Sequence, residues 1–243
     1  MRLQFYIFAA NNTKKTSKKL KNFTEYQVSR SQIKNIIFDL GGVVINIDWQ
    51  FTVDAFQKLA NPAFRAQNED LIQKGTYKAQ FFIDYEIGKI DDATFCQKLR
   101  ETFHLEGNDA QISEAWNALL MEVPKDRIDL IHNLCKTHRT FVLSNTNAIH
   151  IQEANHILHR AHGVATYDDL VEKAYYSHLM NKRKPWPEIY QQVIDENQLN
   201  PAETLFIDDN LENIQAANTV GLQGLHVVPN LNGSVQFFSE ALV

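Results

Sequence analysis

The sequence predicts an open α/β fold: a Rossmann-like parallel sheet with helices on both faces, interrupted after its first strand by an inserted all-helical cap. Three observations carry that expectation. Short apolar runs rich in β-formers, "NIIFDL", "RTFVLSN" and "TLFIDDN", each end in polar residues, as strands buried on both faces of a sheet do. From Arg139 onward such runs alternate with helical patterns, which implies βα units and right-handed crossovers. Between Asp48 and Val123 no convincing strand pattern occurs, so that stretch reads as helical.

Taken in chain order, residues 1–32 hold seven Lys or Arg against Glu25, a net of +6; with −5 on the whole chain, the remainder carries −11. The extension reads as a solvated, disordered tail, and "MRLQFYIFAANN" is only faintly like a signal peptide, with one charge and a minimal apolar stretch. The acidic body excludes a nucleic-acid surface on the folded part. No apolar run is long enough to cross a bilayer, which excludes a membrane-spanning protein. Cys96 and Cys135 lie in helical patterns without metal-ligand spacing, and read as reduced, buried thiols of a cytoplasmic protein.

The core is expected over 33–48 and 124–243, with the cap over 49–123. In the cap, "DDATFCQKLRETF" starts on Asp91 or Asp92 and sets Phe95, Leu99 and Phe103 on one stripe. "NDAQISEAWNALL" offers Asp109 as its cap and turns Ile112, Trp116 and Leu119 inward. "WQFTVDAF" and "FFIDYEI" read as further cap core. "VPKDRIDLIHNLCKTH" has Pro124 near its first turn and Ile128, Ile131 and Leu134 on one side. "HIQEANHILHRAH" reads as a helix that buries Ile149, Ile157 and Leu158 and leaves His150, His156, His159 and His162 mostly at the surface. No acidic or thiol partner completes a zinc set there. A weaker strand, "KAYYS", and a last one, "LQGLHVVP", flank the helices "PEIYQQVIDENQL" and "NLENIQAANTVG", the second stopped by Gly221.

In open parallel sheets ligands bind beyond the carboxyl ends of the strands. The residues collected there are Asp39, then Ser144 with Asn145, then Asp208 with Asp209, and Lys184 ahead of a helix. A carboxylate that can attack, a hydroxyl and an amide that can hold an anion, a fixed cation and an acidic pair suit phosphoryl transfer with a divalent metal. Oxygen ligands alone favour Mg²⁺.

"FDLGGVVI", "VLSNTN", "RKP" and "FIDDN", in this order, resemble the four motifs of the haloacid dehalogenase-like hydrolase superfamily, over Lys34 to about Val228. "YEIGKIDDATF" and "YYSHLMNKRKP" resemble its subgroup of small sugar-phosphate phosphatases, of the glucose-1-phosphatase kind. The resemblance implies Asp39 as the nucleophile that forms an aspartyl-phosphate and also ligates Mg²⁺. It implies Ser144 as a phosphoryl hydrogen-bond donor, Asn145 as a contributor from the same loop, and Lys184 as the charge neutraliser. Asp209 becomes the main metal ligand, with Asp208 as ligand or support and Asn213 behind it. Gly41 and Gly42 let the backbone approach metal and phosphate, the Gly41 carbonyl serving as a ligand.

One position departs from the pattern. Most phosphatases of this superfamily carry a second aspartate two residues after the nucleophile, where this chain has Gly41. A general acid of that kind is typically worth ~10²–10⁴-fold in rate. Asp48, His178, Tyr85 and Glu86 are candidates to replace it, and a sugar 1-phosphate, with its better leaving group, would need it less. The expected activity is hydrolysis of a small phosphorylated metabolite. The alternatives are a non-catalytic phosphometabolite-binding or regulatory protein, for which Gly41 speaks, and a haloacid dehalogenase, which would not need the Asp208/Asp209 pair.

Overall fold

A computed structural model describes residues 33–66 and 79–227. The basic extension, and the stretch expected to continue the core beyond 227, lie outside the described residues. All five expected strands form: β1 (Asn35–Phe38), β2 (Arg139–Ser144), β3 (Lys173–Tyr176), β4 (Thr204–Asp208) and β5 (Gln223–His226). They make one parallel sheet in the order β3-β2-β1-β4-β5. β1 is central, and the order reverses between it and β4, so the switch point of the sheet lies at the carboxyl ends of those two strands.

Alternation along β1 divides the core. Ile36 and Phe38 face one side with Val142 and Ile207, covered by Ile128, Ile131 and Leu134 of α5 (Lys125–Leu134) and by Ala154 and Leu158 of α6 (Ala148–His162). Ile37 faces the other with Phe141, Leu143 and Phe206, covered by Ile189, Tyr190 and Val193 of α7 (Pro187–Asn197) and by Ile214 and Ala217 of α8 (Leu211–Thr219). Helices therefore lie on both faces, and β1 is fully buried, which is why its sequence lacks a polar alternation.

Between β1 and α5 lie α1 (Trp49–Leu59), α2 (Gln80–Glu86), α3 (Asp92–Phe103) and α4 (Asp109–Asn117). They have their own core, in which Phe56, Tyr85, Phe95, Leu99, Phe103, Ile112 and Trp116 pack together, with Ile149 of α6 added from below. Of the aromatics expected in that core, Phe51 is 49% exposed, and Trp49, 47% exposed at the start of α1, reaches it only edge-on, its ring 5.5 Å from that of Trp116. Two chain segments join this insertion to the sheet, and they pair. Asn46 N–H bonds Glu122 O (3.0 Å), Met121 N–H bonds Asn46 O (2.9 Å) and Asp48 N–H bonds Leu119 O (2.9 Å), forming a short neck.

Three local expectations are corrected. The cap of α4 is Asn108, not Asp109: its side chain accepts from Gln111 N while the Gln111 side chain accepts from Asn108 N, and the reciprocal pair satisfies two orphan donors where Asp109 would satisfy one. Cys96 is buried but Cys135 is exposed, because it closes α5 at the surface, its sulfur 3.0 Å from Thr140 Oγ1. His150 is not a surface residue: its ring stacks on Trp116 (centroids 4.7 Å apart) and its Nδ1 lies 2.7 Å from Asn117 Oδ1. Burial pushes that imidazole down to about 3, so it sits neutral between α6 and α4.

Candidate active site

The register Phe38↔Ile207 sets Asp39 beside Asp208 on adjacent strand ends, and Asp39 N–H still bonds Ile207 O (2.9 Å). Two neighbouring buried carboxylates repel unless a cation lies between them. Lys184 is that cation. Its Nζ is 2.8 Å from Asp39 Oδ1 and 2.7 Å from Asp208 Oδ2, at 1% side-chain exposure, and 5.5 Å above the Phe206 ring.

Asp208 is fully buried and saturated by donors. Oδ1 accepts from Asn210 N (2.7 Å), Oδ2 from Lys184, and the Asn213 amide lies 3.0 Å from both oxygens. Asn213 thus stands where it was expected, and Asp208 holds Lys184 in place. Asp209 is half-buried, turned back over the loop after β1. Gly42 makes that possible: its φ is +73°, and a Cβ there would lie 2.4 Å from Asp209 Oδ2.

The cluster fits a divalent oxygen-seeking cation. One oxygen each of Asp39, Asp208 and Asp209 lies within 4.8 Å of the others, and one ammonium against three carboxylates would leave −2 on the group were all three ionised. Burial first, then the fields of Asp208 and Asp209, push the Asp39 carboxyl up to about 8 against the opposing pull of Lys184. Asp209 is raised for the same reasons. A dication removes that penalty, and with no His or Cys among the donors the set suits Mg²⁺.

Ser144 closes β2 and is buried, and among the described residues its hydroxyl has no side-chain hydrogen bond. Asn145 does something the sequence did not suggest. Its Nδ2 donates to Lys184 O (2.9 Å) and its Oδ1 accepts from Lys184 N (2.8 Å), so its carboxamide clamps the peptide of the cation and is not turned toward a phosphate. Ser177 and Arg183 were also missed. The fully buried Ser177 hydroxyl accepts from Thr146 N (2.9 Å) and lies 2.6 Å from Glu86 O, linking the loop after β2 to the end of α2. Arg183 Nε is 2.9 Å from Glu86 Oε2, a charge contact whose N–H is not aimed along the line. These partners are far apart in sequence, and no local pattern announces them.

A Rossmann-like sheet with an aspartate at its switch point, a buried lysine bridging to a second acidic strand end and helices inserted after β1 defines a class, the aspartate-centred hydrolases. Residues 33–221 match the haloacid dehalogenase-like hydrolase family, and the chain belongs to it. It is 31% identical over 191 residues, 79% of this chain and 90% of the relative, to the D-ribitol-5-phosphate phosphatase of Bacteroides thetaiotaomicron. A HAD-family enzyme of that organism, solved with magnesium and inorganic phosphate, superposes with a TM-score of 0.73 at 31% identity, covering 84% of this chain and 99% of its own. A HAD-like hydrolase from Porphyromonas gingivalis gives 0.75 at 27% identity, covering 87% and 98%.

Proposed function

We propose that the chain is a Mg²⁺-dependent phosphomonoesterase acting on a sugar or polyol phosphate through an aspartyl-phosphate on Asp39. The observation that carries the reading is the Lys184 bridge, which fixes one Asp39 oxygen 2.8 Å from an ammonium at the mouth of the sheet. The relative that hydrolyses ribitol 5-phosphate, and the solved relative that holds magnesium and phosphate, support it.

Asp39, Asp209 and the Gly41 carbonyl would hold the ion, with Asp208 beside them. When bound, Mg²⁺ supplies positive charge to the phosphoryl oxygens and screens them from the attacking carboxylate. The chain's own residues do the rest. Asp39 attacks phosphorus with the oxygen not held by Lys184, and the bond to the leaving oxygen breaks. Ser144 offers its uncommitted hydroxyl to a phosphoryl oxygen, and Lys184 offsets the charge of two approaching anions. Water then displaces Asp39 from phosphorus. Residues 49–123 act as the cap over this reaction, with 33–48 and 124–243 as the catalytic core.

Phosphate release from p-nitrophenyl phosphate and ribitol 5-phosphate, with Mg²⁺ or EDTA, tests the proposal beside Asp39→Asn. Metal-dependent turnover that vanishes in the variant is expected. Equal activity in EDTA would remove the metal from the reaction, and a variant near wild type would remove Asp39. Gly41 favours the second reading, a protein that binds phosphometabolites without turning them over; binding without release in this assay would support it.

A further inference from the structure

The reaction proposed above needs a proton for the leaving oxygen, and Gly41 cannot give one. Of the four side chains the sequence offered instead, the structure commits two elsewhere and disfavours the acid form of a third. Asp48 is exposed and caps α1, its Oδ1 accepting from Gln50 N (2.9 Å). Tyr85 gives its phenolic proton to Asp92 Oδ1 (2.7 Å), accepts from Ile149 N (3.4 Å) and stacks on Phe95, inside the core of the inserted helices. Burial lowers the His178 imidazole below its ordinary value, against the smaller raising pulls of Thr146 and Asp92, and so disfavours the protonated ring that could give a proton.

Glu86 is different. It ends α2, at the seam between the inserted helices and the sheet, with 21% of its side chain exposed. Its main chain is tied through Ser177 Oγ to Thr146, two residues past Ser144. Its carboxylate meets Arg183, the residue before Lys184. At Gly88 (φ +73°) a Cβ would lie 2.1 Å from His178 O, so the turn after α2 is pressed against the segment that leads to Lys184.

We infer that Glu86 is the proton donor and acceptor of this hydrolase, standing across the seam in place of an aspartate at position 41. In the first step the Glu86 carboxylic O–H passes its proton to the leaving oxygen as the P–O bond breaks and the Asp39–phosphorus bond forms. The product alcohol departs and Glu86 is left a carboxylate beside Arg183. In the second, Glu86 takes a proton from water as the water oxygen bonds phosphorus and the Asp39–phosphorus bond breaks. Inorganic phosphate leaves and Glu86 is an acid again. Burial raises the Glu86 carboxyl above the ordinary carboxylate range, against the opposing pull of Arg183 and Lys184, which favours the acid form that the first step uses.

This role rests on the phosphatase reading, and the test separates the two. The probes are p-nitrophenyl phosphate, whose leaving group needs no proton, and phenyl phosphate and ribitol 5-phosphate, whose leaving groups do. Glu86→Gln, which keeps the shape, is expected to slow steady-state turnover of every probe, since water attack on the aspartyl-phosphate loses its base; in the first turnover, leaving-group release is expected to fall about 10²-fold or more on the second pair and less than about threefold on p-nitrophenyl phosphate. In Glu86→Gln, adding Gly41→Asp is expected to restore part of the lost rate. The new Cβ would sit 3.2 Å from Ile47 Cδ1, the end of a flexible side chain. A first-turnover loss equal on every probe, or none, would overturn the role of Glu86 while leaving the phosphatase intact. Should Glu86→Gln not fold, a wild-type rate that falls steeply from p-nitrophenyl to phenyl phosphate would overturn it too. No metal-dependent turnover of p-nitrophenyl phosphate by wild type would sink the phosphatase reading itself, and the Glu86 role with it.

Discussion

Replacing Lys184 by Met removes the one ammonium that touches both Asp39 and Asp208 and leaves a side chain of similar length. At separations of 2.8 and 2.7 Å each contact is worth on the order of 6 kcal/mol at an effective dielectric of about 20. Most of that attraction only offsets the desolvation of three buried ions. What remains is the cost of leaving charges uncompensated, typically ~3–5 kcal/mol when one partner of a buried pair is removed. For a chain of this size that is a fall in Tm of roughly 6–20 °C.

The loss should depend on pH. Without the ammonium, Asp39 escapes by taking up a proton, and it is already raised to about 8 with Lys184 present. Urea unfolding in EDTA, at about pH 7 and about pH 9, should therefore give a larger difference between variant and wild type at the higher pH, by up to ~1.4 kcal/mol per pH unit above about 8. A variant within about 1 kcal/mol of wild type at both pH values would refute the reasoning, because the bridge would then carry no net energy. Turnover should fall ~10²–10³-fold alongside, as for loss of one charge-stabilising group.

Wild-type stability in EDTA should itself fall as pH rises from about 4 through about 8. Asp39 has a folded value above its unfolded 3.8, so the folded state binds the proton more tightly, and that stabilisation is lost on deprotonation. Excess Mg²⁺ should flatten the fall, and thermal scans showing no slope in EDTA would contradict the assignment. Gly42→Ala forces a Cβ into Asp209 from a left-handed backbone, at ~1–2 kcal/mol for the backbone alone, and should raise the Mg²⁺ midpoint about tenfold or more. Gly41→Ala, at an ordinary φ and against only the tip of Ile47, should move that midpoint far less; equal effects would deny Asp209 its part. Asn145→Ala deletes both bonds to the Lys184 peptide and should lower kcat with little change in KM, where a phosphate-binding role would raise KM.

The strands were legible because a parallel strand buried on both faces writes itself as an apolar run, and the polar residue after each run marks the mouth of the sheet. Asp39, Ser144, Asp208 and Asp209 were found by that rule, and the structure brings them to one rim. Asn108 was also readable, since Asn-x-x-Gln is a capping box, yet Asp109 beside it has the same local chemistry and drew the choice. What was not legible depends on contacts between distant segments. Asn145 clamps a peptide 39 residues away, and Ser177 meets Glu86 across 91. His150 looked like one of four surface histidines, and only the arrival of α4 over α6 buries it.

Those long-range contacts decide how the inserted helices relate to the chemistry. They are held at the neck by three backbone hydrogen bonds, at α4 by the Trp116–His150 stack, and at the seam by Ser177 and the Arg183–Glu86 pair. Opening at the seam would give up one buried hydrogen bond and one partly screened ion contact, about 1–3 kcal/mol together. Opening at the stack would forfeit a further ~0.5–1.5 kcal/mol and wet a neutral imidazole. Glu86 stands at that seam. Under the proton-donor role inferred above, a substrate whose leaving group reaches the seam would meet its acid there, and a substrate too short to reach it would not. Selectivity should accordingly show in kcat as much as in KM across alkyl phosphates of increasing length.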